Sequence, residues 1–452
     1  MEIVIIGGGL TGLVTAFYLH KGGKRVRILE KSERLGGNIQ TFNESGFIFE
    51  SGPNTGSVSH PEVTELFNDL SPNCEMETAS ENSKRRLIWK NGRFHALPSG
   101  LIGGITTPLF TFPDKFRILG EPFRSKGTDP SESVAQLTRR RLGKSFLDYA
   151  VDPFISGIYA GDPDALVTRY ALPKLYNLEQ NHGSFIKGSI AKAKQTKTER
   201  DRLATKKVFS ACGGLGQLTS ALTKAIGMDN ITLSAERIKV RPFENRWQLT
   251  YNTPGGEETI YASKVISTVG AYALADMLPF AGKEKMAAIV NLRYAPIVQI
   301  AVGIKDTQGI RFNAFGGLIP SCEKRRALGI LFPSACFRGR APEHGALLSF
   351  FIGGMKSSLA SLTDDELIGL VEEEFHAMLR FPPDKSPDMI RIFRHPYAIP
   401  QYEKNSGERF AAVEHLQNLY PGLTLAGNIR DGISMADRIL QAATIAKNMQ
   451  GG

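Results

Sequence analysis

The sequence has few cysteines, only two tryptophans and no long uncharged apolar run. Its four cysteines lie far apart and form no CxxC pair: Cys74, Cys212, Cys322 and Cys336. The sequence therefore predicts neither a disulfide framework nor a zinc site. Because no stretch of about 18 uncharged apolar residues occurs, no segment is expected to span a bilayer. The first residues lack the basic region and cleavage site of a signal peptide, and the expected compartment is the cytoplasm.

Acidic residues are fewer than basic ones. The 452 residues include 55 Lys and Arg against 45 Asp and Glu, which gives a formal net charge of +10. A basic surface suits anionic partners such as acidic lipid, carboxylate substrates or nucleic acid, although it also serves solubility alone. No helix-turn-helix, zinc-finger or RNP pattern is present, so nucleic acid is not an expected partner.

The start of the chain follows the pattern of a dinucleotide-binding unit. A buried strand, a glycine motif, an amphipathic helix and a second strand follow in order: 2–6, Gly7-x-Gly9-x-x-Gly12, 13–19 and 26–30. Gly7 allows a tight turn, Gly9 lets a pyrophosphate approach the helix N-terminus, and Gly12 allows close helix–strand packing. Glu30 ends the second strand, where its carboxylate can accept hydrogen bonds from a ribose. The full order favours nucleotide binding over an ordinary glycine-rich turn.

A second glycine pair follows directly in Arg34-Leu35-Gly36-Gly37. This segment resembles the GG doublet of the superfamily of FAD-dependent amine oxidases, desaturases and protoporphyrinogen oxidases. The resemblance implies FAD rather than NAD as the cofactor. Another glycine turn beside the pyrophosphate also provides further backbone N–H donors.

The other end of the chain supports the same interpretation. Residues 423–428 read as a strand and a turn, and a helix is expected to begin at Asp431 and run to about Met449. In the superfamily the matching segment returns to FAD, and its helix N-terminus faces the flavin and the phosphate.

Three internal segments complete the expected cofactor domain. Residues 212–218 resemble the internal GG-x-x-x-L segment of the superfamily, and residues 265–269 read as an apolar strand returning to the flavin. Residues 231–240 read as a single strand whose counterpart bonds the adenine through backbone groups. Arg237 stands there in place of the usual small apolar residue.

The expected fold class is α/β, or α+β overall, with three domains. A Rossmann-like FAD-binding domain with a parallel sheet, discontinuous in sequence, is assigned to 1–80, 208–285 and 405–452. A substrate-binding domain with a mixed or antiparallel sheet is assigned to 81–100 and 286–404, and a helical domain to 101–207. In the helical domain, the apolar run 101–112 would enter a membrane interface, wall an apolar channel or form a buried loop. The Lys and Arg residues of 187–207 would bind anionic lipid or would belong to a solvated linker.

Segments along almost the whole chain resemble the protoporphyrinogen IX oxidases, in family order: 50–55, 152–163, 316–320, 351–354 and 426–432. The resemblance implies the six-electron oxidation of protoporphyrinogen IX to protoporphyrin IX in haem synthesis, with oxygen usually reoxidising FAD and a quinone as the other acceptor. A hydride leaves a methylene bridge for the flavin, so no catalytic side chain is implied. No histidine has the spacing of a metal ligand or a catalytic triad.

The resemblance also implies site residues. Arg86 would pair with a propionate, which a guanidinium can bind in bidentate fashion. The apolar residues that would sandwich the tetrapyrrole are Leu318, Leu331 and Phe351, which would otherwise read as plain sheet core, and Asn54 and Gly157 would lie beside the ring and the flavin. The implied cofactor-binding residues are Gly7, Gly9, Leu10, Thr11, Gly12, Glu30, Lys31, Arg34, Gly36, Gly37, Gly52, Pro53, Asn54, Arg237, Thr268, Gly427, Asn428, Gly432, Ile433, Ser434 and Met435.

Alternatives stay open. A related bacterial group oxidises coproporphyrinogen III, with four carboxylates, and tends to lack the counterparts of Arg86 and of Pro53-Asn54-Thr55. An amine oxidase is disfavoured because no aromatic residue follows Gly427-Asn428, and a carotenoid desaturase has no need of Arg86. A non-catalytic flavoprotein is disfavoured because the GxGxxG motif and the C-terminal motif are both intact. Peripheral contact with the inner face of the cell membrane and formation of a homodimer are also left open.

Overall fold

The computed structural model describes residues 2–98 and 100–451, without the side chains of residues 100–102, so the expectation for the side chains of Leu101 and Ile102 lies outside the described residues. Its first sheet has five parallel strands taken from the beginning, the middle and the end of the chain. In spatial order they are Ile231–Thr232, Arg25–Leu29, Glu2–Ile6, Lys264–Ser267 and Leu423–Leu425. A parallel sheet that is discontinuous in sequence is therefore confirmed.

The first and last helices pack together beside this sheet. The first spans Leu10–Lys21, three residues longer at its start than the apolar pattern predicts. The last spans Met435–Gln450, and the Nε2 of Gln450 donates to the carbonyl of Tyr18 at 2.8 Å. The expected start of this helix at Asp431 is wrong, because Asp431 has a φ of +63° and cannot continue a right-handed helix.

A second, mixed sheet has seven strands. In spatial order they are Met389–Pro400, Tyr294–Ile304, Ala346–Gly353, Gly329–Leu331, Gly316–Leu318, Arg86–Lys90 and Arg93–Ala96. All neighbours are antiparallel except Gly316–Leu318 and Arg86–Lys90, which are parallel. The helix Asp364–Leu379 covers one face with an apolar core. The opposite face carries the predicted substrate residues.

The single strand expected over 231–240 is wrong. The structure has two strands there, Ile231–Thr232 in the parallel sheet and Glu236–Phe243 in a separate sheet with Arg246–Thr253 and Gly256–Ala262. The break coincides with a φ of +53° at Ser234 and +50° at Arg237, a backbone region that disrupts a regular strand.

Helices dominate residues 100–202. They are Gly100–Thr106, Phe112–Leu119, Val134–Arg141, Lys144–Phe146, a π-helical turn at Leu147–Val151, Asp152–Ile158, Thr168–Ala171, Pro173–His182, Phe185–Ala193 and Glu199–Arg202. In the described part of the chain, no helix combines the length and the hydrophobicity that a membrane crossing requires.

The remaining elements surround these units. The other helices are Pro61–Leu70, Gly216–Ile226, Leu274–Met277, Lys283–Val290, Pro333–Cys336 and Ser406–Leu419. The other strands are Thr41–Glu44 with Phe47–Glu50, and Gly56–Ser57 with Val208–Ala211 and Met76–Thr78.

Candidate functional site

The glycines after the first strand shape an open cradle. Gly7 has a φ of +103°, and a Cβ on Gly12 would lie 1.9 Å from the carbonyl oxygen of Gly7. Glycine is therefore required at both positions by the turn itself. A Cβ on Gly9, in contrast, would meet nothing within 4 Å. This open space lies at the start of the first helix, where the N–H groups of Leu10 and Thr11 have no intrahelical acceptor.

The second glycine pair lies against the first. The N–H of Gly36 donates to the carbonyl of Gly8 at 2.8 Å, and Gly9 and Gly36 form a β-bridge. A Cβ on Gly37 would lie 3.2 Å from the Cα of Gly9. The Arg34 guanidinium holds this loop by donating to the carbonyl of Gly37 at 2.8 Å. The two glycine motifs therefore line one space.

The predicted ribose-binding carboxylate is fixed at the edge of that space. Glu30 is buried, and its carboxylate accepts from the N–H of Gly8 at 2.6 Å and from that of Ser32 at 2.9 Å. Lys31 is exposed beside it. The N–H of Ala235 donates to the carbonyl of Glu30 at 2.9 Å, which brings the segment that contains Arg237 to the same end.

The middle and the end of the chain reach the same cradle. The Thr268 hydroxyl donates to the carbonyls of Ile6 and Gly7, each at 3.1 Å. Gly427 has a φ of +84°, and a Cβ there would lie 2.6 Å from the Thr268 carbonyl. The loop beyond it continues through Asn428, Gly432 and Ile433 to Ser434, which caps the last helix just before Met435.

This arrangement fits FAD. Glycines bring two loops to a helix N-terminus, where backbone N–H groups and the helix dipole favour a pyrophosphate. Gly9 leaves room that a side chain would fill, and Glu30 presents a buried carboxylate to a ribose. The residues that would hold the cofactor are those of the two glycine loops, Thr268 and the C-terminal loop.

A short segment joins the cradle to the mixed sheet. A Cβ on Gly52 would lie 2.1 Å from the carbonyl oxygen of Asn38, so only glycine fits there. Pro53 follows half-buried, and the Oδ1 of Asn54 accepts from the Ser349 hydroxyl at 2.9 Å. Asn54 is therefore anchored to the sheet that carries the predicted substrate residues.

Three apolar side chains form the floor of a slot on this sheet. Leu318, Leu331 and Phe351 are the only partly exposed residues of their strands, whose other members are buried. Leu318 and Phe351 flank Gly329 in one row, and Leu331 lies in the next row on the same face. The structure thus brings the three predicted residues together.

A helix packs directly against Leu318 at the edge of the slot. A Cβ on Gly157, in Asp152–Ile158, would lie 2.4 Å from the Cδ2 of Leu318. Helical spacing places Phe154 and Ile158 on the same face as Gly157. Their side chains are 40% and 44% exposed, which leaves apolar surface available to a ligand. Neither residue was predicted from the sequence, although their i, i+4 spacing beside Gly157 indicates a shared helix face.

Arg86 lies at one end of the slot. Its strand pairs with Gly316, which in turn pairs with Leu331. Its exposed guanidinium lies 5.5 Å from the centre of the Phe315 ring. Within residues 2–98 and 100–451, no carboxylate forms a salt bridge with Arg86. The cation is therefore available to an acidic ligand.

Two further residues of the site were not predicted from the sequence. The Tyr294 hydroxyl lies 3.4 Å from the Oδ1 of Asn428, so an aromatic residue from the mixed sheet reaches the C-terminal loop. Burial raises the pKa of Tyr294 to about 12 and keeps its hydroxyl neutral. Glu50 is buried, and its carboxylate accepts from the N–H of Leu215 at 2.8 Å and the hydroxyl of Thr41 at 2.7 Å. Burial raises the pKa of Glu50. The hydrogen bond from Leu215 ties the segment before Gly52 to the internal glycine loop.

Comparison with known proteins agrees with this geometry. The model of a family described as flavin containing amine oxidoreductase matches residues 10–446. The chain is 30% identical over 475 residues to protoporphyrinogen oxidase 2, chloroplastic/mitochondrial, of Arabidopsis thaliana, which covers 98% of this chain and 93% of the relative. It is 26% identical over 461 residues to coproporphyrinogen III oxidase of Bacillus subtilis, with 97% and 96% covered.

The fold is shared with solved structures. The crystal structure of a protein from Exiguobacterium superimposes with a TM-score of 0.82 at 22% identity, and 99% of this chain and 98% of that chain are covered. At this identity, the likeness establishes the fold.

Proposed function

The chain belongs to the flavin containing amine oxidoreductase family and is an FAD-dependent oxidoreductase, and from this premise we propose that it oxidises protoporphyrinogen IX to protoporphyrin IX in haem biosynthesis. The observation that carries the proposal is the apolar slot with one unpaired cation at its end. Leu318, Leu331 and Phe351 form the floor, Gly157 faces it, and Arg86 has no salt-bridge partner in the described part of the chain.

This slot suits a flat ring with a carboxylate at its edge. Apolar side chains on both sides exclude water and hold a macrocycle by its faces. The Arg86 guanidinium can fix the ring's orientation through a bidentate bond to a propionate. Bound FAD supplies the capacity to accept a hydride. The protein's own contribution is binding, orientation and the exclusion of water.

Coproporphyrinogen III is the second candidate, supported by the Bacillus subtilis relative. Its four carboxylates call for more than one free cation. Lys356, near the other end of the slot, is already bound to Asp152 at 3.1 Å. Arg86 as the unpaired cation therefore favours protoporphyrinogen IX.

Anaerobic mixing with each substrate separates the two. We expect flavin bleaching and porphyrin fluorescence to develop faster with protoporphyrinogen IX than with coproporphyrinogen III. Faster reaction with coproporphyrinogen III would reverse the substrate assignment and leave FAD binding untouched. Absence of bleaching with both would overturn porphyrinogen oxidation.

We also propose peripheral membrane contact through an apolar patch, defined as Phe112, Phe116, Leu119 and Phe123. These side chains are 65%, 59%, 65% and 87% exposed. Contiguous exposed apolar surface of this kind marks interaction sites. The Lys187 ammonium lies 5.9 Å from the centre of the Phe123 ring, which provides a cation for anionic headgroups.

The sequence supports the remaining parts of the proposal. The lack of a disulfide framework fits the cytoplasm, and the patch would hold the protein on the inner face of the cell membrane. Dioxygen or a quinone would take the electrons. Formation of a homodimer stays a prediction, which light scattering of the purified protein would test.

A further inference from the structure

The loop between the last strand and the last helix turns its carbonyl groups onto two buried arginines. Arg438 reaches it from the first turn of the last helix, and its Nη1 donates to the carbonyl of Gly427. Its Nη2 donates to three more carbonyls at 2.7–3.1 Å: those of Arg430, Asp431 and Gly432. Arg409 captures the carbonyl of Ile429 at 3.0 Å. One guanidinium, that of Arg438, therefore sets the orientation of four peptide groups.

Peptide planarity extends this effect to the N–H groups. In a trans peptide, the N–H points opposite to the carbonyl of the same unit. Arg438 binds the carbonyls of Gly427, Arg430 and Gly432. The N–H groups of the same three peptide units belong to Asn428, Asp431 and Ile433. None of these N–H groups has an acceptor among the residues that the structure describes. These donors are therefore open to water or to a bound ligand.

Arg438 also places a charge under this loop. It is buried, and its five hydrogen bonds all end on neutral oxygens, four from the backbone and one from Gln441. The nearby carboxylates of Asp431 and Asp437 bond to Gln441 and Ser434 instead. Across the described residues, no salt bridge neutralises Arg438.

We propose that Arg438 is a positioning residue for FAD. It turns the C-terminal loop so that its free N–H groups face the acceptor oxygens of the cofactor, and its buried positive charge favours addition of electrons to the bound flavin. The inference rests on FAD binding alone and not on the identity of the porphyrinogen, because every readout below is measured without substrate.

Two variants of Arg438 separate its hydrogen-bonding geometry from its positive charge. Arg438→Met keeps an unbranched apolar stem and loses both the fork and the charge, whereas Arg438→Lys keeps the charge and loses the fork. Lys447→Met, on the exposed end of the same helix, is the matched control, since it removes one positive charge far from the loop. The measurements are FAD affinity by titration of the apoprotein and the midpoint potential of the bound flavin against reference dyes.

We expect Arg438→Met to bind FAD about tenfold more weakly. At a fixed solution potential, its ratio of reduced to oxidised flavin should fall about tenfold, which is ~30 mV for a two-electron couple. Arg438→Lys should lose affinity but keep the potential of the parent protein, and Lys447→Met should match the parent in both.

Parent-like affinity and potential in folded Arg438→Met would overturn the proposal. If Arg438→Met does not fold, Arg438→Lys decides: unchanged FAD affinity in that variant would remove the positioning role. A loss of thermal stability in Arg438→Lys with unchanged flavin properties would assign Arg438 to folding alone.

Discussion

At the scale of single residues, substitution of Arg86 tests whether the slot binds the substrate. Its guanidinium is exposed, lies on the Phe315 ring and has no salt-bridge partner within the described residues. We expect Arg86→Ala to raise KM about tenfold with kcat changed less than about twofold, because uniform binding is lost. Steady-state porphyrin fluorescence measures both constants.

The neighbouring arginine provides the control for this change. Arg85 is also exposed, and among the described residues its one hydrogen bond to the sheet is made by its backbone carbonyl, which accepts from the N–H of Phe315. Arg85→Ala should leave KM unchanged. An unchanged KM in Arg86→Ala would remove Arg86 from the substrate site.

Substitution of Gly157 tests whether substrate binding depends on the position of Leu318. A Cβ there would lie 2.4 Å from the Cδ2 of Leu318, so Gly157→Ala must push that side chain into the slot. We expect kcat/KM to fall roughly tenfold, since overpacking costs about 1–3 kcal/mol. Adding Leu318→Val should restore most of the activity, because valine has no Cδ atoms.

Gly369→Ala is the control, as a helix glycine whose Cβ would meet nothing within 4 Å. It should leave kcat/KM unchanged and gain roughly 1 kcal/mol of stability. Full activity in Gly157→Ala would show that substrate binding does not depend on the position of the Leu318 side chain.

The sequence predicts some of the site and misses the rest for physical reasons. Gly12 and Glu30 follow from local spacing along one βαβ unit. Leu318, by contrast, reads as ordinary sheet core in its own segment, and only the family resemblance separates it. Arg438 was missed because its role depends on carbonyls whose direction is set by positive φ values at Gly427 and Asp431, which helical periodicity does not reveal.

At the scale of elements, a buried ion network holds the helices that present the apolar patch. Glu121 accepts from the N–H groups of Phe185 and Ile186 and from the Arg141 guanidinium at 2.9–3.2 Å. Burial alone would raise the pKa of Glu121, but hydrogen bonds from Ser184 and these groups hold it below its ordinary value. The carboxylate therefore caps the helix Phe185–Ala193.

We expect the free energy of unfolding to be about 3 kcal/mol lower in Glu121→Gln at neutral pH, because Arg141 then pairs with one buried carboxylate instead of two. The Glu121 pKa is lower in the folded state, so its stabilisation is complete above the unfolded pKa, about 4.3. It is lost as pH falls through the lower folded pKa. Urea unfolding at pH values on both sides of this window measures the difference.

In the exposed control Glu343→Gln, stability should change by less than about 0.5 kcal/mol. A loss in Glu121→Gln that persists undiminished at acid pH would show that the ionised carboxylate does not stabilise the fold.

The existence of the last helix is predictable from the sequence, whereas its exact start is not. The last helix begins four residues later than expected because Ser434 and Asp437 form its capping box after the loop. The interrupted strand at Ser234 shows the opposite limit. Its apolar residues change from odd positions (231, 233, 235) to even ones (238, 240), and Ser234 and Arg237 have positive φ values where this change occurs.

At the scale of the whole molecule, the convergence of both chain ends on one cradle is predictable from the sequence. Two glycine motifs that require one cofactor must meet in space, and the parallel sheet contains both the first and the last strand. The position of the apolar patch is not predictable in this way. The run 101–112 is divided by the fold: Leu109 and Phe110 are buried beside Ile88 and Leu318, whereas Phe112 is exposed.

The patch makes a prediction about the whole molecule. Burying one phenylalanine in an apolar phase contributes about 1.5–3 kcal/mol. We therefore expect the variant Phe116→Ser/Phe123→Ser to bind vesicles of phosphatidylcholine and phosphatidylglycerol more than tenfold more weakly than the parent protein. Because Lys187 adjoins Phe123, added salt should weaken the parent's binding. Sedimentation with vesicles measures all three cases.

The expected loss of vesicle binding depends on the position of the patch and not on exposure alone, so the control removes exposed apolar residues elsewhere. Met228 and Leu419 are 55% and 46% exposed but lie outside the patch. Met228→Ser/Leu419→Ser removes comparable apolar surface and should bind vesicles as the parent does. Equal binding by the patch variant and this control would remove the patch as the membrane contact. Failure of the parent to sediment with these vesicles, even at low salt, would remove membrane contact itself, while the slot and the FAD cradle would stand.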